Sequence, residues 1–471
     1  NPNDYGTSAS DYFGISVAIS DTYAIVSAWA EDAGGTTSGI AYIYNTVTGV
    51  LLHTLDNPNA YGTSADDRFG YSVAISDTYA IVSAIFEDDA GGTDSGKAYI
   101  YNNATGALVH TLNNPNAYGT STDDNFGFSV AISDTYAIVG ARNEDDASGT
   151  NSGKAYIFNN ATGALLHTLD NPTAYGTSAT DYFGWSVAIT DTYAIVGAYQ
   201  EDDASGTNSG KAYIFNNATG ALVHTLDNPN AYGTSASDYF GWSVSISDTY
   251  AIVGAYGEDD AGGAQSGKAY IFDLTAPASW NISVWDTSSV TDMSSMFQNA
   301  SVFDQDLSAW VTTSVTNMTS MFDGATAYNN VTGALLHTLD NPNAYGTSAS
   351  DYFGNSVATA NTYSIVGAYY EDDAGGTESG KAYIYNNVTG ALVHTLNNPN
   401  VYSTSLDDRF GHSVALTDNY VIVGAPWEGD GGGTTSGKAY IYNTVTRALL
   451  HTLNNPNAYG TSGNDQFGLS V

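Results

Sequence analysis

The chain has 471 residues, with 10 Lys plus Arg against 49 Asp plus Glu and a formal charge of -39. A surface that negative makes nucleic acid and anionic membrane surfaces poor partners; it suits divalent cations, basic partners or a salty medium. Cysteine is absent, which excludes disulfides and thiolate metal sites, and no apolar run approaches the about 18–20 residues of a membrane span.

A hydrophobic content of 42% with 13% aromatic residues argues for a folded chain despite the charge. An Asn-Pro phrase restarts at Asn1, Asn57, Asn114, Asn171, Asn228, Asn341, Asn398 and Asn455. The spacing is 57, except for 56 in the first unit and 113 in the fifth, which carries 56 extra residues. Seven units and the start of an eighth result. The organisation read from this is residues 1–272 for blades one to five (first part), 273–328 for an insert, 329–454 for the end of blade five and blades six and seven, and 455–471 for an eighth start or linker strand.

Taken in chain order, the fourth unit shows the elements best. Phe183–Ile189, Tyr193–Tyr199, Lys211–Phe215 and Ala221–Leu226 are short runs rich in Val, Ile, Tyr and Phe, which read as strands. "TDTY" and "NNATG" supply tight turns with the Asn and Gly that positive φ requires. Four antiparallel strands repeated at this period signal a β-propeller blade, so the fold class is all-β, a seven-bladed propeller. An open solenoid or filament of the same units is the competing architecture.

"FGWSVAI", "AIVGA" and "GKAYIF" together resemble the FG-GAP repeat, the blade of the integrin α-subunit propeller and of many secreted proteins. The Phe-Gly pair recurs at Phe13-Gly14, Phe69-Gly70, Phe126-Gly127, Phe183-Gly184, Phe240-Gly241, Phe353-Gly354, Phe410-Gly411 and Phe467-Gly468; Gly-Ala-Pro is complete only at Gly424-Ala425-Pro426. The resemblance implies an extracellular or cell-surface protein. Integrin-type blades carry a calcium loop between the first two strands, whereas "SDTY" here is too short to wrap a cation, so calcium is not expected in the family's usual place.

The insert has its own period of 25 (Trp285 to Trp310, Met293 to Met318, Phe297 to Phe322) and resembles BspA-like leucine-rich repeats of microbial surface proteins. It reads either as a decorated blade loop or as a recognition module.

Strand order in a propeller assigns the second-to-third and fourth-to-first loops to one rim. Those loops hold 21 and 16 of the 49 acids. Clustered hard oxygens with flexible Gly suit calcium, so the candidate metal ligands are Glu87, Asp88 and Asp89; Glu144, Asp145 and Asp146; Glu201, Asp202 and Asp203; Glu258, Asp259 and Asp260; and Glu371, Asp372 and Asp373. A solvated acidic face is the plain alternative. The opposite rim carries Asn-x-Thr sequons at Asn103, Asn160, Asn217, Asn330 and Asn387, at what reads as an exposed turn, and the insert adds Asn281, Asn299 and Asn317. Seven His share one strand slot (His53, His110, His167, His224, His337, His394, His451) and only His412 stands outside it. That symmetry argues against catalysis, and no catalytic residue is assigned.

The functional reading is a non-catalytic surface protein in adhesion or structural assembly, including a filament subunit, with other copies of itself or surface proteins as partners. The alternative is a carbohydrate-binding module with Trp29, Tyr199, Tyr256 and Trp427 as its platform.

Overall fold

The computed structural model describes residues 12–32, 36–58, 66–88, 92–115, 122–145, 149–172, 179–202, 206–229, 236–259, 264–274, 291–292, 317, 334–342, 350–372, 378–399, 407–428, 437–454 and 468–469. Their regular structure is all strand, arranged as seven four-stranded antiparallel sheets in sequential order. The blade reading of the repeat is therefore correct.

Blade 1 comprises β1 (Phe13–Ile19), β2 (Tyr23–Ala28), β3 (Ile40–Asn45) and β4 (Leu51–Asp56). The two middle strands of each blade are apolar on both faces and almost wholly buried, because each blade is covered by a neighbour on either side. Ile25, Ala41 and Ile43 of blade 1 pack on Phe69, Val73 and Val82 of blade 2, and the same pattern recurs along the series. Blade 7 returns to blade 1, with Ile422 and Ala439 against Phe13, Val17 and Tyr42. The solenoid alternative is excluded by that contact.

The Phe-Gly pair holds neighbouring blades together. In blade 5 the Phe240 amide donates to Ser209 O of blade 4 at 2.9 Å, while the ring packs on its own Tyr270 at a centroid distance of 5.7 Å. Gly210, at φ +83°, lets the two backbones meet: a Cβ there would lie 1.9 Å from Phe240 O.

One boundary differs from the sequence reading. The first strand is seven residues long in blades 1 to 3, but in blade 4 only Ser186–Ile189 pair. Phe183-Gly184 there forms a turn, with Gly184 at φ +88° donating its amide to Gly197 O at 3.0 Å. Blades 5 to 7 share this short form.

By its internal contacts the chain divides into one unit of residues 1–271 with 337–471 and a second of residues 272–336. In the second unit, Asp292 and Asn317 form a parallel bridge and the Asn317 amide donates to Asp292 Oδ2 at 3.1 Å. These positions are 25 residues apart, the period read in the insert. Most of the insert, with Asn281 and Asn299, lies outside the described residues.

Candidate functional site

The acidic loops begin where the second strand of a blade ends. In blade 4, Glu201 O accepts the Gly210 amide at 2.8 Å and the Ser209 hydroxyl at 3.2 Å, which closes the loop on itself. That closure turns the side chain inward. Glu201 is fully buried, and its Oε2 accepts the Tyr213 hydroxyl at 2.6 Å. Tyr99, Tyr156, Tyr270, Tyr383 and Tyr440 donate in the same way to Glu87, Glu144, Glu258, Glu371 and Glu428.

In blades 2 to 7 a lysine follows the loop, and it is buried too. In blades 2, 6 and 7 it pairs with the glutamate, at 3.2 Å for Lys97–Glu87, 2.8 Å for Lys381–Glu371 and 2.6 Å for Lys438–Glu428. In blades 3, 4 and 5 it reaches an aspartate at the end of the fourth strand, as in Lys211–Asp227 at 2.5 Å. In blades 2, 6 and 7 both partners are buried, so removing either strands a buried charge, the costly case for ion pairs; in blades 3, 4 and 5 the aspartate is exposed, so only its removal does so.

A second carboxylate enters from the preceding loop. Asp67, Asp124, Asp181, Asp238, Asp351 and Asp408 are buried, each accepting the amide of the Asn that opens its repeat, at 2.8–2.9 Å. Burial, and then the nearby Glu87 charge, push the Asp67 carboxyl up to about 7 against the Asn57 hydrogen bond; Asp351 is raised to about 7 by burial and Glu371.

The reading of these acids as a solvated rim is thus corrected for the glutamates and for one aspartate per fourth-to-first loop: they are interior groups that satisfy Tyr, Lys and Asn. Asp259 is exposed and Asp88, Asp145, Asp202 and Asp372 are half-buried in their loops, where Oδ1 of each of the five accepts a backbone amide six residues on, at 2.8–3.0 Å. Asp89, Asp146, Asp203, Asp260 and Asp373 lie outside the described residues. Among the described residues no three Asp, Glu or His side chains converge as a metal site requires. Calcium at these loops would have to use aspartates and loop carbonyls.

The sequon asparagines are also corrected. Asn103, Asn160, Asn217 and Asn387 are fully buried, and the Nδ2 that would carry a glycan donates at 2.8 Å to a backbone carbonyl of the first hairpin of the same blade. The sequon Thr is held as well: Thr105 donates to Asn102 Oδ1 at 3.0 Å. Turn chemistry explains the motif; the sequence could not show that the second Asn points inward. Asn330 lies outside the described residues.

The shared histidine slot proves to be a seam contact. A Cβ on Gly106, Gly163, Gly220 or Gly390 would fall 2.5–2.7 Å from a ring atom of His53, His110, His167 or His337 in the preceding blade.

At the Phe-Gly end of the first strands, aromatic rings and three arginines form a belt running from blade to blade. Phe128, Trp185, Trp242 and Tyr256 follow one another at centroid distances of 4.6–4.8 Å. Arg68 lies 4.5 Å from the centroids of Trp29 and Phe86, Arg142 3.7 Å from Phe128, and Arg409 4.2 Å from Trp427. The platform residues Trp29, Tyr199, Tyr256 and Trp427 all belong to this belt; Trp29, Tyr199 and Tyr256 stack on neighbouring tyrosines and Trp427 packs at a tilt on His412. Tyr199 is buried, and burial raises its hydroxyl to about 12.

At the opposite end the first hairpins gather a feature the sequence reading passed over. Asp21, Asp191, Asp248 and Asp418, with Asn361 and Asn419, line a cavity of about 420 Å³. Asp134 and Asp191 each accept the amide of a threonine in the preceding blade's hairpin, at 3.2 and 3.1 Å. The signal was present in the "DTY" slot of successive units, but only the ring brings those slots together.

The FG-GAP repeat family model matches seven stretches: residues 4–44, 59–101, 116–158, 173–215, 230–272, 343–385 and 404–442. The chain belongs to the FG-GAP repeat family. The FG-GAP blades so matched are the seven sheets described above. A second family model, described as Mycoplasma protein of unknown function, DUF285, matches residues 269–358 and so spans the insert. No curated protein matches the chain. Among solved structures it is similar to the computationally designed Ika8 protein, at 13% identity over 95% of this chain and 88% of that one, with a TM-score of 0.46. Among the described residues no helix is long and apolar enough to cross a membrane.

Proposed function

We propose that this FG-GAP propeller is a non-catalytic module of an extracellular surface, and that it acts in adhesion by presenting carboxylates to positively charged partners. One observation carries the reading: the protein's cations are committed internally. All six lysines are buried with their ammonium groups on carboxylates, and three of the four arginines lie over aromatic rings. The acids outside the buried glutamates and aspartates therefore face solvent with little exposed positive charge to offset them, in a chain whose formal charge is -39. Exposed leucines on the outermost strands, such as Leu108, Leu165, Leu222 and Leu392, add apolar contact area beside that charge. The test is attachment of the folded chain to a surface coated with a lysine-rich peptide at physiological salt, with the heat-unfolded chain, identical in sequence, as control. The folded form should bind more tightly, and binding should weaken as salt rises. Equal binding by the unfolded chain, or strong hits on a glycan array with none on the basic surface, would contradict it.

A further inference from the structure

Each blade offers the next a slot, built the same way in blades 3 to 6. The hydroxyls of Ser129, Ser186, Ser243 and Ser356 donate to the carbonyl of the Phe-Gly glycine in the following blade, at 2.8–3.0 Å. A glycine on the second strand makes room for that carbonyl: a Cβ on Gly140 would lie 2.2 Å from Gly184 O.

Blade 7 carries the same slot, and blade 1 does not fill it. Ser413 donates to Gly468 O at 2.9 Å, and a Cβ on Gly424 would lie 1.8 Å from that same carbonyl. Gly468 sits at φ +86°, as the other Phe-Gly glycines do. His412, the one histidine outside the repeated slot, donates from Nδ1 to Leu469 O at 2.7 Å. Asn355, at the same place in blade 6, donates to His412 O at 3.3 Å, so both side chains hold the segment that follows their own blade.

Blade 1 differs from other followers in two further ways. In blades 4 to 7 the first strand is short, and each follows a blade with Gly in the slot; in blades 2 and 3 it is long, and each follows Ser27 or Ser83. Blade 1 would follow Gly424, yet β1 has the long form. At the outer edge, a Cβ on Gly49 would meet nothing within 4 Å among the described residues, where Gly106, Gly163, Gly220 and Gly390 meet the preceding blade's histidine.

We propose that blade 7 carries a strand-acceptor slot whose occupant is the Gly468-Leu469 segment of the eighth repeat, so that the last seam is held by the eighth repeat as well as by blade 1. The slot recognises backbone: a carbonyl at positive φ, a serine hydroxyl and a ring N–H. Any first strand of this repeat type carries what it needs.

The test is amide hydrogen exchange on the full chain, comparing residues 413–425 with the equivalent residues 186–198 of blade 4. Gly468→Val cannot hold the positive φ, and its side chain would start 2.2 Å from Lys438 O. It should speed exchange in 413–425 by roughly tenfold while blade 4 stays unchanged, the scale expected for losing a docked segment's hydrogen bonds. His412→Leu should act in the same direction. His412→Asn should exchange like the parent, because Asn does this work in blade 6. Exchange in 413–425 within about twofold of the parent for Gly468→Val, or equal acceleration in all seven blades, would overturn the slot.

Discussion

Replacing Gly210 by alanine puts one methyl group into the seam between blades 4 and 5. Its Cβ would lie 1.9 Å from Phe240 O, 2.6 Å from Phe240 N and 2.7 Å from Phe240 C. Backbone atoms cannot swing aside as a side chain can, so the strands must part by about 1 Å or more to reach ordinary contact. Three costs follow. Holding alanine at positive φ costs about 1–2 kcal/mol. Stretching the Phe240 N–H to Ser209 O bond, 2.9 Å in the parent, costs about 1–3 kcal/mol if the amide is left buried without a partner. Loosening the fully buried Phe240 ring adds on the order of 1 kcal/mol. The total is about 3–6 kcal/mol. Gly49→Ala is the control, because Gly49 has a similar φ of +67° and, among the described residues, open space around it; only the conformational cost of about 1–2 kcal/mol applies. With unfolding entropy scaled to this length, about 1 kcal/mol per degree, thermal melts should show losses of about 3–6 °C and about 1–2 °C respectively. Equal losses from the two substitutions would refute the claim that the Phe-Gly contact carries the seam.

Stability should fall with rising pH between about 4 and 7: folded Asp67 and Asp351 keep protons up to about 7 that the unfolded chain releases near its ordinary value of 3.8, so their contribution is full below that value and lost through 7. Asp67→Asn with Asp351→Asn should flatten this slope, by roughly 5 °C between melts at pH 5 and pH 8. Tyr213→Phe should cost about 1–3 kcal/mol by leaving Glu201 one donor short in a buried site, whereas Asp202→Ala should cost under about 1 kcal/mol, both read from denaturant midpoints. Chain secreted from a glycosylating host and purified folded should show, by intact mass before and after glycosidase, no glycan at Asn103, Asn160, Asn217 or Asn387, since each Nδ2 is buried and in use.

The fold was legible because the repeat states it seven times, and because blade strands alternate with turns whose residue types have few other uses. Phe240 and Gly241 announce a seam in sequence, though not the residue they meet; Gly210 lies 30 positions earlier in the preceding unit. The site was read less well, for one physical reason. Charge in a sequence is assigned to solvent by default, since burying a lone carboxylate is costly. Glu201 escapes that default because Tyr213 stands 12 residues on, and in blades 2, 6 and 7 a lysine 10 residues on completes the set. The sequon asparagines failed similarly: Asn216 holds the turn and Asn217 points inward, although the two are adjacent. His412 could be singled out but not explained until Leu469 was seen beside it.

Electron-microscope class averages of the purified chain, viewed along the propeller axis, test the central claim most directly. The account predicts a closed ring with seven-fold modulation. A rod of stacked units, or a ring of six or eight, would contradict it.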